Sequence, residues 1–145
     1  MQSYSAEAQL YVVTAFAFQV VLLVHFILRK WAFDKYIYQY GWIVYALAIP
    51  AAIVSVVLLR RGAEWWMWVG GFLYLIWAIF GYVVEYRLGI AWRNPINGPI
   101  FGTYIFLYLS TTMFYWWPLA RVGKPLWLAC AILFVTASIL NVSSH

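Results

Sequence analysis

Five apolar stretches, each about as long as a bilayer is thick, fill most of this 145-residue chain. A helix needs roughly 20 residues, at 1.5 Å per residue, to cross a hydrocarbon core about 30 Å thick. The stretches lie at about 9–28, 40–59, 65–86, 100–119 and 125–142. Since 67% of the residues are hydrophobic and only 9% are charged, the polar surface of a soluble domain is excluded.

The links between the stretches are short, which favours consecutive helices that pack side by side as antiparallel neighbours. We therefore predict an all-α integral membrane protein, a compact up-down bundle of five transmembrane helices that forms a single domain over residues 1–145. The lipid bilayer is its first expected partner. The nine Lys and Arg residues are scattered at the ends of the stretches and form no continuous basic face, which excludes nucleic-acid binding.

The distribution of these basic residues predicts an orientation in the membrane. Five fall at one end of the bundle (Arg29, Lys30, Lys35, Arg87 and Arg93) and four at the other (Arg60, Arg61, Arg121 and Lys124). Because Lys and Arg are more frequent in cytoplasmic links, this count places the N-terminus outside and the C-terminus in the cytoplasm.

Aromatic residues gather near both ends of the stretches, where we predict that most anchor the helices at the membrane interface. Trp66 at one end and Tyr104 at the other belong to these belts. A smaller set falls at mid-depth, where a ring could stack on a ligand. The mid-depth aromatic residues are Tyr11, Tyr45, Tyr74, Trp77, Tyr108 and Phe114.

The third stretch has one side formed by small residues, a tyrosine and a carboxylate. These residues, at helical spacings of three and four, are Gly71, Tyr74, Ala78, Gly81 and Glu85. Small residues allow a neighbouring helix to approach closely, so Glu85 is predicted to point into the bundle. It is the only acidic residue inside a stretch, and such a carboxylate usually faces a partner, water or a substrate path. The alternative is an interfacial ion pair with Arg87 or Arg93.

His25 is the only histidine inside a stretch, and it falls at the same depth as Glu85 because the first and third stretches run in the same direction. We predict a polar pocket at this end, formed by His25, Glu85, Arg93, Asn94 and Asn97, with Asn141 at the same face. Its aromatic ligand-binding residues would be Tyr45, Tyr74, Trp77 and Tyr108. The alternative is a packed histidine and ordinary interfacial polar residues that form no site.

Pro50 interrupts the second stretch. It has no backbone N–H, so the Ala46 carbonyl loses its helical partner and a kink is predicted. Such a kink, beside Tyr45, would either widen a cavity or only shape the packing.

Several common sites are absent from the sequence. No Lys lies inside a stretch, which excludes a retinal Schiff base, and Cys130 is the only cysteine, which excludes an intramolecular disulfide. There is no HExxH, no GxSxG and no Gly-rich phosphate loop. We assign no catalytic residue and no metal site, and the sequence does not identify a cofactor.

In length, span count and tryptophan content, the chain resembles the tryptophan-rich translocator proteins that bind porphyrins and sterols. The resemblance covers composition and span count, and no residue role is carried over from that family.

From the sequence we expect a small polytopic protein that binds or transports a small apolar or amphipathic ligand. The ligand would occupy an aromatic-lined cavity with a polar corner at one membrane face. One alternative is an accessory subunit of a larger membrane complex, docked through the small-residue side of the third helix. Another is a compact enzyme with His25 and Glu85 as an acid–base pair. Self-association into a homo-oligomer is also open.

Overall fold

The computed structural model describes residues 5–32, 35, 39–90 and 95–143, which form a bundle of helices. Helix α1 spans Ala6–Trp31, and the second membrane segment consists of α2 (Ile43–Ala46) and α3 (Ala48–Arg60). Helix α4 (Trp65–Tyr82) continues directly into a π-helical turn, Val83–Arg87. Helix α5 (Gly98–Phe114), the short α6 (Leu119–Val122) and α7 (Lys124–Ser143) complete the chain. The described ranges contain no β-strand.

The helices have the length and surface of membrane-spanning segments. Four of them are long and apolar enough to cross a bilayer, namely Ala6–Trp31, Ile43–Arg60, Trp65–Arg87 and Lys124–Ser143. Helix α5 is also apolar and has 17 residues. Apolar side chains such as Val13, Phe106 and Ile132 point outward, with 66%, 69% and 69% of their surface exposed. The chain is therefore an all-α, multi-pass membrane protein, as predicted from the sequence.

Helix α4 is at the centre of the bundle, where it packs against α2, α3 and α5 and also contacts α1. Its approach to α3 requires Gly71, because a Cβ atom there would meet the Ser55 side chain and lie 2.6 Å from the Ala51 carbonyl oxygen. A Cβ at Gly81 would lie 2.7 Å from the ring of Tyr45. The small-residue side of the third stretch thus contacts other helices of the same chain, and this side is already occupied.

A tight turn between α3 and α4 brings these two helices together. Gly62 adopts a φ of 72°, a conformation that favours glycine. The N–H of Ala63 donates to the Leu58 carbonyl at 3.0 Å, and the N–H of Gly62 donates to the Leu59 carbonyl at 3.1 Å. This pattern satisfies the last carbonyls of α3, so the chain can reverse within a few residues and α4 begins at Trp65.

The second membrane segment is irregular close to Pro50, where a kink was predicted. The second membrane segment is interrupted at Leu47, between α2 and α3, within one turn of the proline. Near this break the Tyr74 hydroxyl of α4 donates a hydrogen bond to the Val44 carbonyl. A side chain of the central helix therefore supports backbone that the interrupted helix leaves less well paired.

The predicted end of the fourth stretch at residue 119 is wrong, because α5 ends at Phe114. The cause is Pro118, which has no N–H to donate to the Phe114 carbonyl four residues earlier. The Tyr11 hydroxyl of α1 donates to that carbonyl instead, at 2.6 Å. A mid-depth tyrosine predicted as a ligand-stacking candidate thus supports the end of α5.

Candidate functional site

Glu85 lies in the π-helical turn that ends the central helix. The turn is defined by the Leu88 N–H, which donates to the Val83 carbonyl five residues earlier at 2.8 Å. The Tyr45 hydroxyl donates to Glu85 Oε2 at 3.1 Å, so the carboxylate is directed toward α2. A π-helical turn changes the direction of the side chains that follow it, and such turns are frequent at functional sites.

Arg29, near the end of α1, faces the same region. It is 1% exposed, although it was predicted from the sequence to be an interfacial basic residue. Its guanidinium interacts electrostatically with Glu85 and with His25, which is 4% exposed. Tyr104 of α5 is fully buried and interacts with both Arg29 and Tyr45. We refer to His25, Arg29, Tyr45, Glu85 and Tyr104 as the polar cluster.

The polar cluster connects four parts of the bundle: α1, α2, the π-helical turn and α5. Taking a guanidinium and a carboxylate out of water costs several kcal/mol per ion unless opposite charges and hydrogen bonds compensate. The Tyr45 hydroxyl and the Arg29 guanidinium provide such compensation for Glu85. These four elements must therefore meet for the charges to be accommodated.

The structure brings together some of the predicted pocket residues and separates others. His25 and Glu85 both belong to the polar cluster, with Arg29 interacting with each. Asn97 instead caps α5, where its side-chain oxygen accepts from the Ile100 N–H at 3.5 Å. Arg93 and Asn94 lie outside the described residues.

The predicted ligand-stacking residues form the aromatic core of the bundle. The Trp77 ring is fully buried, and its centroid lies 5.6 Å from that of Tyr74, 5.8 Å from that of Tyr45 and 5.8 Å from that of Tyr108. The Tyr108 hydroxyl is 3.4 Å from the Ser138 hydroxyl of α7. Two smaller cavities lie on either side of the interrupted segment. Tyr45 borders one of about 280 Å³, and Tyr74 borders the other, of about 310 Å³.

A larger, open groove of about 630 Å³ lies between α1 and α2. It follows α1 from Val20 to Ala32, which is about 18 Å at 1.5 Å per residue. Most of its wall is aliphatic, and polar side chains lie toward one end. The residues that line the groove are Val20, Val21, Val24, His25, Leu28, Ala32, Lys35, Gln39, Tyr40, Ile43, Val44 and Leu47. Because His25 borders it, the groove adjoins the polar cluster.

Sequence reasoning missed two members of the polar cluster. Arg29 was counted with Lys30 as an anchor, and Tyr104 was assigned to an aromatic belt; both are buried. Trp66, assigned to the other belt, is also buried, at 3% exposed. The helical spacing contained the signal for Arg29, since it follows His25 by four residues and Leu22 by seven, on the buried side of α1.

No family model matches this chain, and no curated protein or solved structure shows significant similarity to it. The groove and the polar cluster are therefore the features of the molecule that bear on its function.

Proposed function

We propose that this protein binds a small amphipathic molecule in the groove between α1 and α2. The observation that carries the proposal is the division of the groove into an aliphatic wall and a polar end. The aliphatic wall includes Val20, Val24 and Leu47, and the polar end includes Lys35 and Gln39. An amphipathic molecule has the same division, so both of its parts would meet matching surfaces.

The size and position of the groove support this function. Its volume of about 630 Å³ lies within the range of small-molecule sites, roughly 300–1,000 Å³. Val20 and Val24 are 48% and 49% exposed on the outer surface of the bundle. A ligand dissolved in the bilayer would therefore reach the groove laterally, without crossing an aqueous phase.

The polar cluster gives the groove a connection to the rest of the fold. His25 borders the groove and interacts with Arg29, which in turn interacts with Glu85 of the central helix. A ligand that displaces His25 would change the surroundings of a charged group shared by several helices. If the protein also transports its ligand, this connection would couple ligand binding to helix movement. Transport is thus an extension of the proposed binding function.

The test fills the groove without disturbing the core. Val24→Trp puts a large ring into the groove at a half-exposed position, and we expect it to weaken binding of oleoyl-lysophosphatidylcholine about tenfold, a change of about 1.4 kcal/mol. Native mass spectrometry of the detergent-solubilised protein would count the bound probe. Ile132→Trp is the matched control, because Ile132 is exposed on α7 and does not line the groove. Equal binding by the two variants would contradict the proposal.

The orientation with the N-terminus outside and the C-terminus in the cytoplasm is a further part of this proposal. It depends on the distribution of basic residues at the two ends of the bundle. Burial of Arg29 removes one residue from the five at the predicted cytoplasmic end, so four remain at each end. Without Arg29 the count favours neither orientation, so the proposal depends on Arg29 reaching the cytoplasmic head groups while α1 inserts.

A further inference from the structure

The polar end of the groove contains hydrogen-bond donors and a positive charge. Lys35 contributes an ammonium group, and Gln39 and Tyr40 contribute an amide and a hydroxyl. Among the described residues that line the groove, none is Asp or Glu. Lys35, Gln39 and Tyr40 are therefore complementary to an anionic group.

The depth of these residues matches the layers of a lipid. Lys35 follows the end of α1 at Trp31, and residues just beyond a membrane-spanning helix are expected in the head-group region. Val20, Val24 and Leu28 lie within the membrane-spanning helix, at the level of the acyl chains. A molecule that fills the groove would thus place its chain beside α1 and its head group beside Lys35.

The open side of the groove favours a molecule supplied by the bilayer. Five of its apolar lining residues are exposed on the outer surface: Val20, Val24, Leu28, Ile43 and Leu47. A water-soluble ligand would leave this apolar wall in contact with lipid, whereas an acyl chain would cover it.

We infer that the occupant is an anionic phospholipid, with one acyl chain along α1 and its phosphate at Lys35. This inference depends on the proposed function, since it names the ligand class of the same groove. The attraction of a basic residue to an anionic surface corresponds to roughly a fivefold preference, from about 1 kcal/mol per Lys or Arg.

The experiment compares two lipids that differ in head-group charge. The solubilised protein would be given equal amounts of phosphatidylglycerol and phosphatidylcholine, and native mass spectrometry would report the ratio bound. We expect about fivefold more phosphatidylglycerol on the wild-type protein, about equal amounts on Lys35→Gln, and a preference for phosphatidylcholine on Lys35→Glu. Lys124→Gln is the control, an exposed lysine at the opposite end that should keep the wild-type ratio.

The outcomes separate this inference from the proposed function. Equal binding of both lipids, reduced for both by Val24→Trp, would overturn the anionic preference and leave the groove as a binding site. Lipid binding that Val24→Trp leaves unchanged would overturn both the anionic preference and the proposed function. A dimer that disappears in Val24→Trp, with no lipid bound, would assign the groove to a second copy of this chain and would also overturn the inference.

Discussion

At the scale of single residues, Arg29 determines how the polar end of the bundle is organised. A guanidinium that is 1% exposed cannot be hydrated by the solvent beyond the membrane. Its interaction with Glu85 and the Tyr45 hydrogen bond to that carboxylate provide the compensation that burial requires. The two charges should therefore behave as a unit in mutagenesis, with effects that do not add.

We predict that Glu85→Gln lowers the free energy of unfolding in detergent by about 3 kcal/mol, because it leaves the Arg29 charge buried without its carboxylate. The double variant Arg29→Met, Glu85→Gln should recover most of that loss, since neither charge is then present. Thermal or denaturant unfolding of the single and double variants gives the interaction energy directly.

Arg87→Gln is the matched control for this cycle, because Arg87 lies in the same π-helical turn and is exposed. It should change stability by less than about 0.5 kcal/mol. Strictly additive effects of Arg29→Met and Glu85→Gln would show that the two charges do not depend on each other.

Glu85 and Arg29 differ in how well their positions could be predicted from the sequence. The inward direction of Glu85 follows from the spacing of the small residues with which it shares a helix side, and the structure agrees. The burial of Arg29 conflicts with a general rule, because an Arg-Lys pair at the end of an apolar stretch ordinarily anchors the helix. Interactions with Glu85 and Tyr104 compensate for the burial of Arg29, and a single sequence does not show these pairings.

At the scale of elements, proline positions explain where the helices depart from the predicted stretches. The break at Leu47 was predictable because Pro50 removes one known backbone bond. The early end of α5 follows from the same chemistry at Pro118, yet hydropathy alone continues the stretch through Trp116 and Trp117. The hydroxyl of Tyr11, which supports the Phe114 carbonyl, comes from a helix about 100 residues away in sequence. Such a contact becomes visible only in the fold.

The contact between α3 and α4 gives a prediction at this scale. Gly71→Ala should destabilise the protein by about 1–3 kcal/mol, because the added methyl group meets the Ser55 side chain and the Ala51 carbonyl. Gly102→Ala is the matched control in α5, where a Cβ atom would have no neighbour within 4 Å. It should be neutral or stabilising by up to about 1 kcal/mol, from helix propensity alone.

Thermal unfolding of the two alanine variants in the same detergent makes this comparison. Similar stabilities for Gly71→Ala and Gly102→Ala would mean that α3 and α4 can separate without cost.

At the scale of the whole molecule, the bundle is closed by contacts between helices that are distant in the sequence. Its all-α architecture and its succession of spans were predicted from the lengths of the apolar stretches. Which helices are neighbours was only partly predictable: short links pair α3 with α4, but the contact between α1 and α7 joins the two ends of the chain. Nothing local in the sequence encodes that closure.

We predict that Lys124→Cys reacts with a membrane-impermeant maleimide on intact cells, whereas Lys35→Cys reacts only after the membrane is opened. This result is expected for an N-terminus outside the cell, since Lys124 belongs to the same end of the bundle as the N-terminus. The native Cys130 should not react with the maleimide, because its side chain is fully buried. The reverse labelling pattern would establish the opposite orientation.

The burial of Arg29 has a consequence for how the protein is made. Helix α1 is synthesised before the central helix. The Arg29 guanidinium therefore has no carboxylate partner until Glu85 has been translated. In the interval, a charge near the end of an apolar helix is best accommodated close to the head groups, with its side chain extended toward water. Helix α1 would therefore insert at a shallower depth than its final one, and it would move deeper only after α4 has inserted. Biogenesis of this small bundle would thus include a late vertical adjustment of a helix that is already in the membrane.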